Sequence, residues 1–495
     1  MATPLLRLGL ACASACTLLG CAAGPDFQRP AEPTQAGYLS EQELSATRDQ
    51  SQAEAVAPAQ ANWWQAFGSA KLNALVDAAL AHSPTLASAQ ATLQQAQFSL
   101  QAGEGVFYPE VDANLSVARQ RSTPYKLGIG TGTGSIFNLY TLGASISYSL
   151  DLFGLQRRTV EGLQAQVDTH RYMAAGSFVT LSSNTVNTAI AHAAYSWQLA
   201  LLQGIANAQR RQLALAQTQL DAGLIPESTL QAQAQSLAQT QTAQASLAQK
   251  LAQTRHVLSL LLGQSTADKL PPLPDMAELH LPGTPPVSVP SDLVKQRPDI
   301  LQAEAQLHAS YAALGAASAQ LWPSVSLTAG GGWADTHFKD LGAAQSRFWS
   351  VGPSANVALF KGGTLSSQQR AAQAGLLASE ATYRQVVLQA FSQVADTLSA
   401  LHNDASAALA QQNNTQAAQR GWRLAQVSHE AGLINEQQLL TATVANLQAQ
   451  SSQVQTDAQQ LQDAVALYAA MGGQWWQAAP PWIRAANGKP EATQP

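Results

Sequence analysis

A thiol that follows small residues at the end of a short apolar run is a substrate for lipid attachment, and Cys21 is placed in that way. Arg7 precedes residues 8–19, which are small and apolar, and Leu18-Leu19-Gly20 stand directly before the cysteine. A positive start, a short apolar stretch and small residues at its end describe an export signal, too short to span a bilayer stably. The pattern resembles a bacterial lipobox, in which the cysteine is acylated and becomes the first residue of the mature chain. Residues 1–20 are then removed, and a covalent lipid on Cys21 is the only attached group the sequence implies, with no other cofactor. A plain secretory signal with incidental cysteines is the competing reading. Ala22, rather than an aspartate, follows the cysteine, which resembles the sorting pattern of outer-membrane lipoproteins.

The other reactive side chains form no recognisable catalytic pattern. Cys12, Cys16 and Cys21 are the only cysteines, so the mature body holds no disulfide, thiolate metal site or cysteine nucleophile. Exported to an oxidising compartment, it must be held by packing. No His-Glu-x-x-His, P-loop or Gly-x-Ser-x-Gly motif occurs, and the nine histidines are scattered without ligand spacing. The glycines of residues 128–134 lie between two strand patterns, not between a strand and a helix, so they read as a solvent loop rather than a phosphate cradle. Arg157-Arg158 reads as a basic pair at a lipid–water boundary, steadying a strand-to-helix junction. Neither an enzyme nor a metal site is expected.

Composition narrows the classes further. The 495 residues are 46% hydrophobic and 12% charged, against roughly 25% charged in an ordinary soluble domain. A formal net charge of −5 with 26 Lys and Arg leaves no basic footprint for nucleic acid. Apolar content this high and periodic argues against disorder. No run of about 18 uninterrupted apolar residues exists to make a transmembrane helix.

The pattern of elements is more telling. Residues 24–61 read as a polar, proline-containing tether. A short helix near residues 71–81 is followed by a longer one opened by Ser83-Pro84 and stopped at Phe107-Tyr108-Pro109. The period then changes to two. Val111, Ala113, Leu115 and Val117 alternate with Asp112, Asn114 and Ser116, and residues 140–151 alternate in the same way. A helix over residues 155–221 would be on the order of 100 Å long. Gly223 and Pro226 break it, a second helix follows, and the proline-rich residues 270–290 mark a boundary. From residue 291 the programme repeats. Arg297-Pro298 opens a helix, Leu321-Trp322-Pro323 ends it, and two alternating strands and a long helix follow. Ala431-Gly432-Leu433-Ile434 then echoes Ala222-Gly223-Leu224-Ile225. The chain is a tandem duplication with a period of roughly 210 residues, too long for a solenoid repeat.

Strands of this length cross a bilayer when tilted, and their aromatic residues cluster at the ends, as in membrane barrels. Phe107, Tyr108, Phe153, Trp322 and Phe360 fall at one end, and Tyr140, Trp333, Phe348 and Trp349 at the other. A soluble four-stranded sheet packed on helices is the competing reading, because period two does not distinguish lipid from protein core. Four strands cannot close a membrane barrel, for which about eight is the minimum, so the chain must oligomerise. Two copies would fill their lumen with side chains; three would make about twelve strands around a wet channel. The Ser, Thr and Asn alternation favours three.

The sequence resembles the outer-membrane efflux proteins, the outer-membrane factor lipoproteins of tripartite drug pumps, with the nodulation-protein-T-like subgroup nearest. The residues that carry the resemblance begin with Gly24-Pro25-Asp26-Phe27, Trp63-Trp64-Gln65-Ala66-Phe67 and Leu72-Asn73-Ala74-Leu75. Asp151-Leu152-Phe153-Gly154 with Arg157-Arg158, and Arg297-Pro298-Asp299-Ile300 with Ala303-Glu304, continue it. Gly315, Pro323-Ser324-Val325-Ser326-Leu327 and Leu359-Phe360-Lys361-Gly362-Gly363 complete it, so it covers nearly the whole mature chain in order. The implied fold is a mixed α/β membrane protein whose duplicated repeat supplies four transmembrane β-strands and long periplasmic α-helices. A homotrimer then makes a twelve-stranded β-barrel continued by an α-helical barrel. The implied partners are outer-membrane lipid, a periplasmic adaptor protein and an inner-membrane transporter, with no nucleic acid. The implied role is passive export of small molecules or drugs across the outer membrane. The same duct could serve type I protein secretion, and a non-conducting lipid-anchored helical scaffold is the alternative from a different class.

The implied organisation is a leader at residues 1–20, a tether at 21–61, a first repeat at 62–263, a connector at 264–290, a second repeat at 291–473 and a loosely held tail at 474–495. Strands are expected near residues 111–119, 140–151, 325–335 and 349–360. The resemblance also implies a gate at the periplasmic turns, residues 223–229 and 432–441, where family members often carry an aspartate ring. Here Gln438 and Thr441 stand at the matching positions, Glu436 is the nearest acid, and Glu227 lies in the first turn. That departure implies a constriction closed by packing and amide hydrogen bonds; Gln438 as a merely tunnel-facing polar residue is the alternative.

Overall fold

A computed structural model describes residues 22–31, 38, 62–122, 134–282 and 290–484. Cys21, most of the tether, the glycine-rich residues 128–133 and residues 485–495 lie outside the described residues.

The chain starts with a 3-10 turn at Trp63–Phe67 and helix α1 at Ala70–His82, whose N-cap Ser69 Oγ accepts the Leu72 N–H at 3.3 Å. Helix α2, Pro84–Glu104, opens on proline, where the missing N–H costs nothing. Strands β1, Glu110–Ser122, and β2, Ser135–Leu150, follow. Helices α3, Leu155–Asp221, and α4, Glu227–Leu261, close the first half. The second half has α5 at Pro290–Gln296, α6 at Pro298–Ala319, β3 at Ser324–Asp335 and β4 at Arg347–Asn356. Helices α7, Thr364–Glu430, and α8, Glu436–Ala470, complete it. The duplication is literal in length: α3 and α7 have 67 residues each, α4 and α8 have 35 each. Their Ala, Gln and Leu content favours helix over such lengths. Among the described residues no helix is long and apolar enough to cross a membrane.

The chain divides into two compact units. One comprises Met1–Pro30, Leu93–His170 and Ala303–Tyr383, and the other Ala31–Thr92, Arg171–Gln302 and Arg384–Pro495. The first unit holds a four-stranded antiparallel meander in the order β1-β2-β3-β4. The outer edges of β1 and β4 have no partner strand among the described residues. Strand β4 ends at Asn356, short of residue 360, for a local reason. Its partner β3 starts at Ser324, behind Pro323, which has no N–H to give, and Ser324 pairs with Asn356.

The second unit has the larger apolar core. Trp63, Trp64 and Phe67 are at most 1% exposed and sit among Leu72, Phe178 and Leu258. The Trp63 ring stacks on Tyr468, 5.3 Å between centroids. The C-terminal segment corrects the expectation of a loose tail. Residues 475–484 form two short helices, α9 at Trp475–Ala478 and α10 at Pro481–Arg484, with Trp475, Ala479 and Ile483 buried in that core. The Trp475 indole N–H donates to the Gln296 carbonyl at 2.8 Å.

Candidate functional site

Strand register sorts the side chains of the sheet into two faces, because residues directly opposite one another point the same way. Val111 pairs with Ile146, Ala113 with Ala144 and Leu115 with Leu142. Ile146 in turn meets Ala329, Tyr148 meets Leu327, and Ala329 meets Val351. One face is thus apolar across all four strands. It is also exposed on the chain, with Val111 at 67%, Leu115 at 65% and Trp349 at 80%. An exposed apolar face of that extent requires lipid or protein against it.

The opposite face is largely hydroxylic, with the acids Glu110 and Asp112 at the start of β1. Asp112 pairs with Ser145, Ser116 with Thr141, Ser147 with Thr328, and Ser149 with Ser326. Ser326 and Ser354 hydroxyls lie 2.8 Å apart across β3 and β4. Glycines thin the middle of this face, where Gly143 stands opposite Gly332. Phe153 stacks on Trp322 at 5.2 Å at one end of the sheet, as the sequence indicated. Strand β2 starts at Ser135 rather than at Tyr140, which stands five residues inside it, opposite Asp335 at the end of β3, and meets Phe338 edge-on at 5.7 Å.

The junction below β2 is held by charge. Asp151 caps the start of α3, accepting the Gln156 and Arg157 backbone N–H groups at 3.1 and 3.0 Å, and pairs with the Arg157 guanidinium. Arg158 does something the sequence did not reveal. It is 5% exposed, and its two terminal nitrogens bind Asp26 and Glu161. Asp26 belongs to a strap, residues 22–30, that is fastened along its length. The Ala23 N–H donates to the Phe153 carbonyl at 2.9 Å, Phe27 stacks on His308 at 4.4 Å, and Arg29 meets both oxygens of Glu304. Gly154 lets the strap begin there, since a Cβ at this position would sit 2.8 Å from the Ala22 side chain.

The two helix–helix turns share one geometry. Gly223 and Gly432 have φ of 70° and 74°, a conformation open to glycine. Their N–H groups donate to the Leu220 and His429 carbonyls, and the following Leu224 and Leu433 donate to Gln219 and Ser428. This is a Schellman closure made twice. Both leucines face outward, 75% and 78% exposed.

Each sequence-derived gate residue can be placed. Gln438 completes a capping box: its N–H donates to the Asn435 side chain at 2.9 Å, and its Oε1 accepts the Asn435 N–H at 3.2 Å. The Asn435-x-x-Gln438 spacing carries that signal in the sequence itself. Thr441 donates to the Gln437 carbonyl and accepts from Gln212 Nε2 at 3.2 Å. Glu436 is paired with Arg211. Glu227 is exposed in the first turn of α4, where an acid complements the helix dipole. Glu436 and Thr441 therefore tie the start of α8 to α3. Arg211 and Gln212 were missed, because partners more than 200 residues away leave no local pattern.

Arg297 is also a buried cation, 6% exposed. Its Nε and Nη2 bind both oxygens of Asp299 at 3.0 and 2.6 Å. Nη2 also reaches Gln393 at 2.7 Å, and Nη1 donates to the Ala470 carbonyl at 2.9 Å. That carbonyl closes α8, where the helix dipole favours a cation.

A sheet that is apolar on one face and hydroxylic on the other, followed in the chain by a helix of 67 residues, has the features of a membrane conduit. The family model for outer membrane efflux proteins matches residues 75–264 and 289–473, one match for each half of the duplication. The chain belongs to the outer membrane efflux protein family. It is 29% identical over 462 residues to the solvent efflux pump outer membrane protein SrpC of Pseudomonas putida, covering 92% of this chain and 96% of that one. It is 28% identical to the pyoverdine export outer membrane protein OpmQ of Pseudomonas aeruginosa, over 83% of this chain and 87% of that one. Among solved structures, the outer-membrane channel OprN superposes with a TM-score of 0.81 at 26% identity, covering 92% of this chain and all of that one. The CmeC channel of Campylobacter jejuni has the same fold, with a TM-score of 0.81 at 20% identity over 92% of this chain and 95% of that one. The chain is thus the outer-membrane channel component of an efflux system. It resides in the outer membrane with a long periplasmic helical part.

Proposed function

We propose that three copies of this chain close a twelve-stranded barrel and act as a passive duct for small organic molecules, docked through a periplasmic adaptor to an inner-membrane transporter. The four-stranded sheet, apolar outside, hydroxylic inside and unpaired at both edges among the described residues, carries this reading. Open strand edges are not tolerated in hydrocarbon, so copies must supply the missing partners. A second observation favours self-association of the helices. Leu388, Leu409, Leu424 and Val427 of α7 are each more than 60% exposed, and they fall within about 60° of arc on one helix face. The exposed Leu224 and Leu433 at the two turns suit an adaptor's apolar tip.

The cargo follows from the walls. Neutral hydroxyls hold no one charge type tightly, which suits solutes as varied as those in the relatives' names: solvents, antibiotics and pyoverdine. Lipid attachment at Cys21 fits the fastened strap, which starts one residue later, beside the end of β2. The constriction is assigned to the second turn. There Arg211–Glu436 and Gln212–Thr441 hold α8 to α3, Gln438 stiffens the cap, and Glu227 is the acid of the first turn.

Planar-bilayer recording of the purified protein tests the reading. The wild type is expected to conduct weakly, and Arg211→Ala combined with Thr441→Val to raise the open fraction about tenfold. That corresponds to loss of one exposed ion pair and one hydrogen bond, together about 1–1.5 kcal/mol. Gln438→Asp is expected to add cation preference. Absence of conductance in the wild type, the tip variants and the adaptor-bound protein alike would refute the duct.

A further inference from the structure

Helices α7 and α8 meet at two acids. We propose that Asp404 of α7 and Asp463 of α8 form a proton-operated clasp, closing the two helices on one another when a proton is shared and loosening them when both carboxyls ionise. Gln460 Nε2 of α8 bonds the Asp404 main chain at 3.1 Å, which brings Asp463, about one turn further along α8, to the Asp404 side chain, whose carboxyl it raises. The Asp404 Oδ2 is sealed from solvent and receives no donor. A carboxylate oxygen closed off from water against a second carboxylate is a costly arrangement for two negative charges. One proton between them turns repulsion into a charge-assisted hydrogen bond.

The surroundings leave the proton as the means of compensation. Asp463 accepts from Gln459 Nε2 at 3.1 and 3.2 Å, and Gln460 Nε2 donates to the Asp404 main-chain oxygen at 3.1 Å. Only the Gln460 bond crosses from α8 to α7, the Gln459 bond staying within α8, and neither amide brings a charge. No lysine or arginine pairs with either carboxyl among the described residues. On α8, burial pushes the Asp457 carboxyl up as well, although Gln453 donates to it at 2.6 Å, and on α7 His402 lies two residues away, on the opposite side of the helix. Nor is an acid pair demanded by the duplicated packing. The offset between Gly223 and Gly432 places Tyr195 and Thr254 at the equivalent positions of the first repeat, where the Lys250 ammonium lies 5.9 Å from the Tyr195 ring.

The hydrogen bond to Asp463, then burial, then the charge of Asp463 push Asp404 up to about 6 from its ordinary 3.8. A carboxyl raised on folding gives its stabilisation in full below its unfolded value and loses it as pH rises through its folded value. The clasp is therefore closed in acid and released toward neutrality. The affected hairpin is the one whose turn leads into Glu436, Gln438 and Thr441.

The full-length protein in detergent tests this without any conduction assay. Its thermal midpoint and the hydrogen exchange of residues 455–470, corrected for intrinsic rate, are followed between about pH 4.5 and 8, a window that brackets the Asp404 step. The wild-type midpoint is expected to fall as pH rises toward about 6 and to level off above it, with protection lost by at most about tenfold per pH unit, the slope of one linked proton. Asp463→Asn supplies an amide donor at every pH and is expected to remove the Asp404 step from both readouts, leaving only the smaller slope of the buried Asp457. Asp404→Asn is expected to do the same and serves if the first variant folds poorly. A wild-type profile without a step, or the same step in wild type and variants, overturns the clasp.

Discussion

Arg297→Met is expected to destabilise the protein by about 3 kcal/mol, near the lower end for breaking a buried pair. The argument is a count of stranded partners. The guanidinium is almost wholly buried and satisfies three groups on three elements: Asp299 at the start of α6, Gln393 on α7 and the terminal carbonyl of α8. Methionine fills similar volume but donates nothing, so the Ala470 carbonyl and Gln393 lose their partner at about 1 kcal/mol or more each. Asp299 is about half exposed, so water recovers part of its share and keeps the loss from the top of the range. Arg297→Lys separates charge from geometry. A lysine keeps the cation but cannot span both Asp299 oxygens and two further acceptors, and is expected to recover less than half of the loss. Thermal unfolding of the purified protein measures both variants. Equal midpoints for wild type and Arg297→Met would refute the cross-link.

Gly332→Val is expected to abolish assembly of the membrane barrel while leaving the second unit folded. Gly332 sits on the polar face opposite Gly143, and a Cβ there would come within 2.5 Å of Gly143 Cα and closer still to the Leu142 carbonyl oxygen. Both neighbours are backbone, so neither can rotate away. β2 and β3 would have to part at their centre, the one pairing that joins the two halves of the sheet. In lipid each unsatisfied backbone group costs several kcal/mol. Fractionation should then find the variant outside the outer membrane, with tryptophan fluorescence of the Trp63–Trp64 core retained. Gly352→Ala, with open space where its Cβ would stand, is expected to assemble normally.

What the sequence disclosed, and what it hid, follows from the range of each interaction. The strands were legible because alternation of Val111 to Val117 against Asp112 to Ser116 is a property of neighbours, and the register then put those residues on two faces. The turns were legible because Gly223 and Gly432 announce a left-handed conformation and are repeated. Helices α9 and α10 were not, since four residues are too few to show a period, and Trp475 and Ile483 read as tail until their burial is seen. The end of β4 was set from outside, by Pro323 on its partner strand. Arg158 with Asp26, Arg211 with Glu436, and Asp404 with Asp463 are pairs joined only by folding. Gln438 was legible twice over, and only its alignment with a gate position drew notice. The capping-box spacing to Asn435 was in the same four letters.

The matched helix lengths of the two halves have a historical consequence. In the assembly proposed above, an adaptor at the periplasmic end meets two turns from every chain, each at the end of a 67-residue rod. A helical turn gained or lost in one rod leaves its twin out of step unless the change is copied. Once one ancestral half had been doubled, neither descendant was free to lengthen alone, and the two have had to age as a pair.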